Sequence, residues 1–509
     1  MKRSFNRFTL LKFTILPVIC LFILLACERQ AIKPPQEKIL VKIGDKTTIS
    51  LNEFIRRAEY TPRPPYCRHN NYVHKKIILN SLIAEKLLAI EAGEDNPITR
   101  SEEFRAYIKG RKEQAMRQWM HHQEATAQVK LDTAEIKKVY EVAGREYEIA
   151  YFSVEDSAVA QSVVEELNRN THSFKDLYQQ VYGDTAIPRR KVAWENQEHL
   201  KVHSALFTEK LSVGQVLEPI KLATNHYLII KISGWSDTKV ITEPQVQQRL
   251  KNVAEKLTEM KASAIWSGVV GEIMRGKRID FNNDTFWKLN DIFFHIYFHT
   301  DQEKKDALSE KIWDTEENPE KALDEVISEE LLQQPFFMID GQTWTVDDFR
   351  RELMSHPLVF RERKMPSDEF SEQFRFAVAD LVRDHYITQE AYRRGYDQIN
   401  VVQRNEQMWR DAFLALYQKN EYLKGVGEKR NFVANYMAII NNRLNAYVDS
   451  LQQRYYKQIE LDFEEFEKIA LTSIDLFVKQ KNQPYPHVVP RFPILTTDHL
   501  IDYVRRMEK

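Results

Sequence analysis

Apolar residues recur along this chain at helical spacing, and one arrangement of elements is written twice. Residues Val41 to Gly93 read VKIGDKTTISLNEFIRRAEY, a proline-broken connector and ILNSLIAEKLLAIEAG; residues Phe337 to Ala391 read FMIDGQTWTVDDFRREL, a connector and VADLVRDHYITQEA. Each copy predicts a short strand, a turn and a helix with a polar cap. Ser50 with Glu53, and Thr345 with Asp348, stand three residues apart as capping-box pairs, Asp replacing the usual Glu in the second. The next helix presents Ile78, Leu82, Ile83, Leu87 and Ala92 on one face, and its counterpart presents Val378, Leu381, Val382, Tyr386 and Ala391. Further on, Val246, Leu250, Val253, Leu257 and Met260 lead into RIDFNNDTFWKL, while Val433, Met437, Ile440, Leu444, Tyr447 and Leu451 lead into QIELDFEEFEKI. Steps of four and three residues mark one buried helix face in both runs.

The copies differ in length. Phe54 to Ile279 spans 225 residues and the matching Phe349 to Ile459 spans 110, so the first copy carries an insert the size of a small domain. Inside it, Asp132 and Glu135 open a helix and Glu146 to Val154 reads as a strand. Ala158 to Asn168 is an amphipathic helix, Phe174 and Leu177 lie in a short one, and Tyr227 to Ile232 is a second strand.

At 509 residues the chain holds several domains, and 73 Lys+Arg against 74 Asp+Glu, a net charge of −1, gives no basic footprint for nucleic acid. Only 14 glycines among so many charged residues favour a largely helical protein. Lys2, Arg3, Arg7 and Lys12 precede an apolar run from Phe13 to Ala26, which is short for a membrane span and reads as an export signal. Its end, Leu24-Leu25-Ala26-Cys27, resembles the bacterial lipobox, which implies diacylglyceryl attachment at Cys27 and a polar tether over residues 28–40. Cys20 then leaves with the signal, so no internal disulfide is possible in the mature chain. Cys67, in a proline-rich connector, has no His-plus-carboxylate pattern nearby and reads as inert.

The strand, the capped helix with Phe54 and the string LNSLIAEKLLAIEAG resemble the helical domain of the SurA, PrsA and PpiC family of envelope foldases, most closely over Val41 to Gly234. The order of elements in the insert is similar to a parvulin prolyl isomerase domain. That resemblance implies a fold that is mainly α with an α+β insert: two related SurA-like helical modules, with a parvulin-like domain inserted in the first. The expected division is a signal at 1–27, a tether at 28–40, the first module at 41–144 and 241–330, the insert at 145–240 and the second module at 331–509.

Prolyl isomerisation lowers a barrier of roughly 20 kcal/mol with an apolar pocket and polar groups that disfavour the planar amide, and it needs no nucleophile or metal. The two histidines of the parvulin family would fall at Tyr151 and near Leu228, and neither position is His. His226 lies two residues away on the same strand face. The glycine-rich segment is replaced by Arg190-Lys191-Val192-Ala193-Trp194, while the framework positions Phe174, Leu177, Trp194, Phe207, Gly214, Pro219 and Ile230 match. Tyr151 and His226 are the catalytic candidates, Trp194 and Phe207 the substrate-pocket candidates, and the resemblance implies a degenerate isomerase site.

Other patterns carry less. His295 and His299 in HIYFH share a face on a helix or a strand, and their aromatic neighbours favour a packed strand over a metal site. His121-His122 lies in a polar helix, Asp314 to Glu330 reads as a solvated linker, and the proline-rich stretch Gln483 to Pro493 is expected to pack back on the body. No Walker loop, HExxH, GxSxG or CxxC occurs, so no nucleotide, metal or other cofactor is expected. With 27 Phe, 22 Tyr and 8 Trp, the chain has aromatic side chains enough for both a core and a client-binding cradle.

Together these readings predict a lipid-anchored envelope chaperone that holds unfolded exported polypeptides, such as outer-membrane barrel precursors, in a groove between the modules. Glu28 after Cys27 favours the periplasmic face of the outer membrane. Two alternatives stand beside it: an active prolyl isomerase with Tyr151, Trp194, Phe207 and His226 around its pocket, and a structural lipoprotein docked on one envelope assembly machine.

Overall fold

The computed structural model describes residues 37–183, 186–223, 225–298, 327–362, 365–472, 481–501 and 503–507. The expected signal, Cys27 and most of the tether lie outside the described residues, as do His299 and most of the acidic run from Asp314. Within them the fold is mainly helical with three small sheets. No described helix is long and apolar enough to cross a membrane.

Both repeated hairpins form as their patterns predict. Strands β1 (Ile39–Ile43) and β2 (Thr47–Ser50) open the first copy, and a helix over Leu51–Glu59 follows at Ser50, whose hydroxyl accepts the Glu53 N–H at 3.1 Å. The carboxylate of Glu53 does not close the box, because it is drawn 2.7 Å from the buried Lys86 ammonium. In the second copy the box closes in both directions: Thr345 N–H donates to Asp348 at 2.9 Å and Asp348 N–H to Thr345 at 3.1 Å. That hairpin turns at Asp340 and Gly341, both at positive φ, a conformation glycine adopts without penalty.

Each repeated hairpin takes its third strand from the other copy. In the insert β3 (Arg145–Val154), β4 (Arg189–Ala193), β5 (Ile220–Ala223) and β6 (His226–Asp237) form one antiparallel sheet in the order β4-β3-β6-β5. After it, a 31-residue helix over Glu243–Ile273, roughly 46 Å long at 1.5 Å per residue, carries the chain to β7 (Asp280–Phe281). β7 pairs antiparallel with β8 (Pro335–Ile339), Phe281 opposite Phe337, and β8 with β9 (Gln342–Thr345). The last copy's β10 (Ile459–Leu461) returns instead to β1, Ile43 opposite Ile459, with β11 (Arg505–Arg506) parallel at its outer edge.

The cores follow the same exchange. Phe466 of the last copy sits 5.9 Å from Phe54, edge to face, among Ile78, Leu82 and Leu87. Phe286 and Phe293 of the first copy pack on Phe336, Phe349 and Phe374. Two continuous modules at 41–144 with 241–330 and at 331–509 are therefore not the packing units: each unit joins the start of one copy to the end of the other. Sequence repetition permits this, since both hairpins offer an edge strand to either tail.

The helix over Tyr72–Ala92 is buried on every side along residues 77–89, not on one face. Besides Ile78, Leu82, Ile83 and Leu87 it buries Asn80, Glu85 and Lys86. Arg57 meets Glu85 through two bonds of 2.6 and 2.7 Å, and Lys86 lies 2.8 Å from Asp411 on the Asn400–Gly425 helix. The proline-rich stretch packs back on this centre: Arg56 donates to the carbonyl of Pro486 and Arg57 to that of Arg491, each at 2.7 Å.

Two predicted elements differ. The run from Val433 to Leu451 is not one continuous helix: Asn435 leaves helical geometry and Ile440–Leu444 is a π turn, so Ile440, Leu444 and Leu451 are buried while Val433 and Met437 are exposed. The segment with His295 is helical, over Asn283–Tyr297, because Asn282 caps it and Phe286, Leu289 and Phe293 recur at helical spacing.

Candidate functional site

The insert's sheet has two apolar faces. Ala150, Phe152 and Val154 face the helices over Ser157–Asn168 and Phe174–Tyr182. Tyr147, Ile149, Ile230 and Ile232 point the other way, toward Trp194, Phe207 and Val253 and Leu257 of the long helix. Tyr151, half-buried on this second face, pairs with Ile230 across the sheet, and the Arg190 guanidinium lies 5.2 Å over its ring. Arg190 is itself 2.5 Å from Glu198.

His226 is exposed at the start of β6, with its Nε2 2.9 Å from Ser153 Oγ; the contact joins it to Ser153 and not to Tyr151. Leu228 is buried opposite Ser153.

Trp194 and Phe207 are core residues, 5 % and 1 % exposed. His203 fills the space between them. Its ring lies 4.5 Å from Trp194 and 4.8 Å from Phe207, and its Nε2 is 3.1 Å from the Trp194 carbonyl. Burial pulls its pKa below the ordinary 6.5, while the bond to Trp194 acts the other way. The sequence reading missed His203, although its place one helical turn before Phe207 puts both on one face.

A cavity lies where the two halves of the molecule meet. A cleft of about 1070 Å³ opens between the helices over Glu102–Glu124, Glu243–Ile273, Val346–Ser355 and Phe370–Arg393. Tyr107, Trp266, Val270, Met274, Met354 and Val359 supply its apolar lining. At its floor the backbone of Gly110 touches the end of the Val346–Ser355 helix, and a methyl group there would run into the Ser355 carbonyl.

The polar rim is cationic but braced. Arg117 donates to Thr388 at 2.7 Å, and Asp384 is held by His356 at 3.2 Å and Arg383 at 2.9 Å. Burial pushes the Asp384 carboxyl up, but its bond from His356 and the nearby Arg117 and Arg383 outweigh that and hold it below its ordinary value. Arg111, between the cleft and the Asn400–Gly425 helix, stacks 4.2 Å over Trp409.

No family model matches the chain, and no curated protein matches it. Among solved structures, the crystal structure of the peptidylprolyl isomerase PrsA from Bacillus cereus is similar in part: 16% identical, covering 43% of this chain and 84% of that one, with a TM-score of 0.18. At that score the likeness carries no weight for fold or function.

Proposed function

We propose that this chain is an envelope chaperone, tethered through lipid on Cys27, that holds unfolded exported polypeptides in the cleft between its two composite halves. The observation that supports this is the cleft itself: a large open groove with aromatic, methionine and aliphatic side chains along its walls and arginines at its rim. Methionine and aromatic surfaces adapt to many apolar sequences, and many weak contacts hold a chain without nucleotide. Exported barrel precursors, with their alternating apolar residues, are the client class that fits such a surface.

The insert then serves as a rigid buttress on the long helix. Its second face is packed by Trp194, His203 and Phe207, ring against ring.

The deciding experiment is suppression of aggregation of an unfolded barrel protein by the chain, compared with a Trp266→Ser, Val270→Ser, Met274→Ser variant. Loss of suppression in a variant with an unchanged circular dichroism spectrum supports the cleft. Undiminished suppression sinks it, and a single stoichiometric partner in pull-downs with no suppression favours the docking lipoprotein instead. A protease-coupled assay on an X–Pro peptide is expected to show no isomerase rate above background; a rate lost in Tyr151→Ala or His226→Ala would restore the enzyme reading.

A further inference from the structure

Behind Tyr107 and Arg111 lies a second, smaller pocket of about 230 Å³, between the Asn400–Gly425 helix and the C-terminal stretch Val488 to Leu495. Phe413, Leu416, Phe432, Val489, Pro490 and Phe492 make its walls. Lys419 enters this apolar space at 9 % exposure, its ammonium 4.5 Å over the Phe432 ring. Among the described residues it makes no hydrogen bond and no ion pair.

The contrast with Lys86 is instructive. That side chain is buried more deeply still, 1 % exposed, and Glu53 and Asp411 lie 2.7 and 2.8 Å from its ammonium. The one carboxylate lining the small pocket, Glu85, is committed to Arg57. The Trp409 indole N–H, on the same wall, is buried and has no acceptor among the described residues. Arg111 adds a second cation, with Tyr107 and Gln114 as its hydrogen-bond partners. A recess with apolar walls and a lysine ammonium that has no counter-ion is complementary to an apolar anion.

We propose that this pocket binds a small apolar monocarboxylate, its carboxylate on the Lys419 ammonium and its hydrocarbon against Phe413, Leu416 and Phe492. A free medium-chain acid and the C-terminal residue of a polypeptide share this chemistry. The site stands independently of the cleft and of the chaperone reading. Desolvation pulls the Lys419 pKa down to about 8, so the ammonium is present at neutral pH and lost above it. Arg111 stays charged over that range. A bound carboxylate therefore raises the Lys419 pKa, and its affinity falls as the pH rises above about 8.

Isothermal titration of the full chain in detergent, with octanoate and with N-acetyl-phenylalanine, tests this, using octanamide and N-acetyl-phenylalaninamide as neutral controls. Saturable binding of either acid, at least tenfold weaker for its amide and in Lys419→Met, is the expected result; which acid binds identifies the source. Lys419→Met removes an unpaired buried charge and should fold at least as well as the parent. Equal binding of acid and amide, binding unchanged in Lys419→Met, or no saturable binding of either acid would overturn the assignment. Nitrogen-15 NMR of the Lys419 ammonium gives a second readout: an unmoved titration with acid present also refutes it.

Discussion

Replacing Glu85 by leucine is expected to loosen the centre of the first half. The Arg57 guanidinium is 0 % exposed and its carboxylate partner 3 % exposed, so the substitution leaves a buried cation with the Arg491 carbonyl in place of its counter-ion. Breaking one side of a buried pair costs about 3–5 kcal/mol, which is roughly a hundred- to several-thousandfold in a local opening equilibrium at 1.36 kcal/mol per decade. The double variant Arg57→Met, Glu85→Leu replaces the pair with hydrocarbon. It should return to within about 1–2 kcal/mol of the parent, the shortfall being the bond to Arg491. A chain of this size does not unfold in two states, so the measurement is amide hydrogen exchange read locally, on the Tyr72–Ala92 helix and on residues 488–495. If the double variant loses as much as the two single variants combined, the pair is not coupled and the reasoning fails.

Gly110→Ala should destabilise the junction at the cleft floor by about 1–3 kcal/mol, because a backbone carbonyl cannot rotate away as a side chain can; limited proteolysis near His356 should accelerate. Gly268→Ala, in the long helix with nothing near its added methyl, should instead stabilise by about 0.5–1 kcal/mol, and the same direction in both variants would contradict the packing described. Cysteines at the register partners Lys42 and Glu460, or Asp280 and Met338, should cross-link within one chain, whereas copies that fold separately would leave both pairs unlinked. Because the folded pKa of His203 lies below its unfolded value of 6.5, the unfolded chain binds the extra proton. The insert's stability is then full above pH 6.5 and falls as the pH drops below it; His203→Phe should flatten that dependence in hydrogen exchange of β3 and β6.

Local structure was legible because it depends on neighbours in sequence. Ser50 and Thr345 cap helices where their spacing places them, and the alternation from Glu146 to Val154 yields a strand. Partner choice was not legible, since β7 and β10 are alike and each suits either hairpin. The sequence reading named only the apolar face of the Tyr72–Ala92 helix, and the arrival of the Asn400–Gly425 helix and the C-terminal stretch draws Asn80 and Lys86 into a buried network as well. Trp194 and Phe207 matched the framework of a parvulin-like domain, but pattern alone does not say whether an aromatic lines a recess or fills it. Here the His203 ring packs against both. The cleft is likewise a product of tertiary approach: a single glycine, Gly110, sets how close the helices come.

The exchange of tail strands also sets a schedule for biosynthesis. β1, with Leu40, Val41 and Ile43 already patterned for burial, emerges long before β10, the strand it pairs with in its sheet. β7 emerges long before β10 and matches the same edge, so the nascent chain passes a tempting early partner before meeting its final one. Contacts so distant in sequence form slowly, and an unpaired edge invites neighbours in the meantime. A second copy emerging nearby offers the same tail strand, so crowded synthesis should yield reciprocally swapped dimers, each hairpin closed by the other molecule's β10.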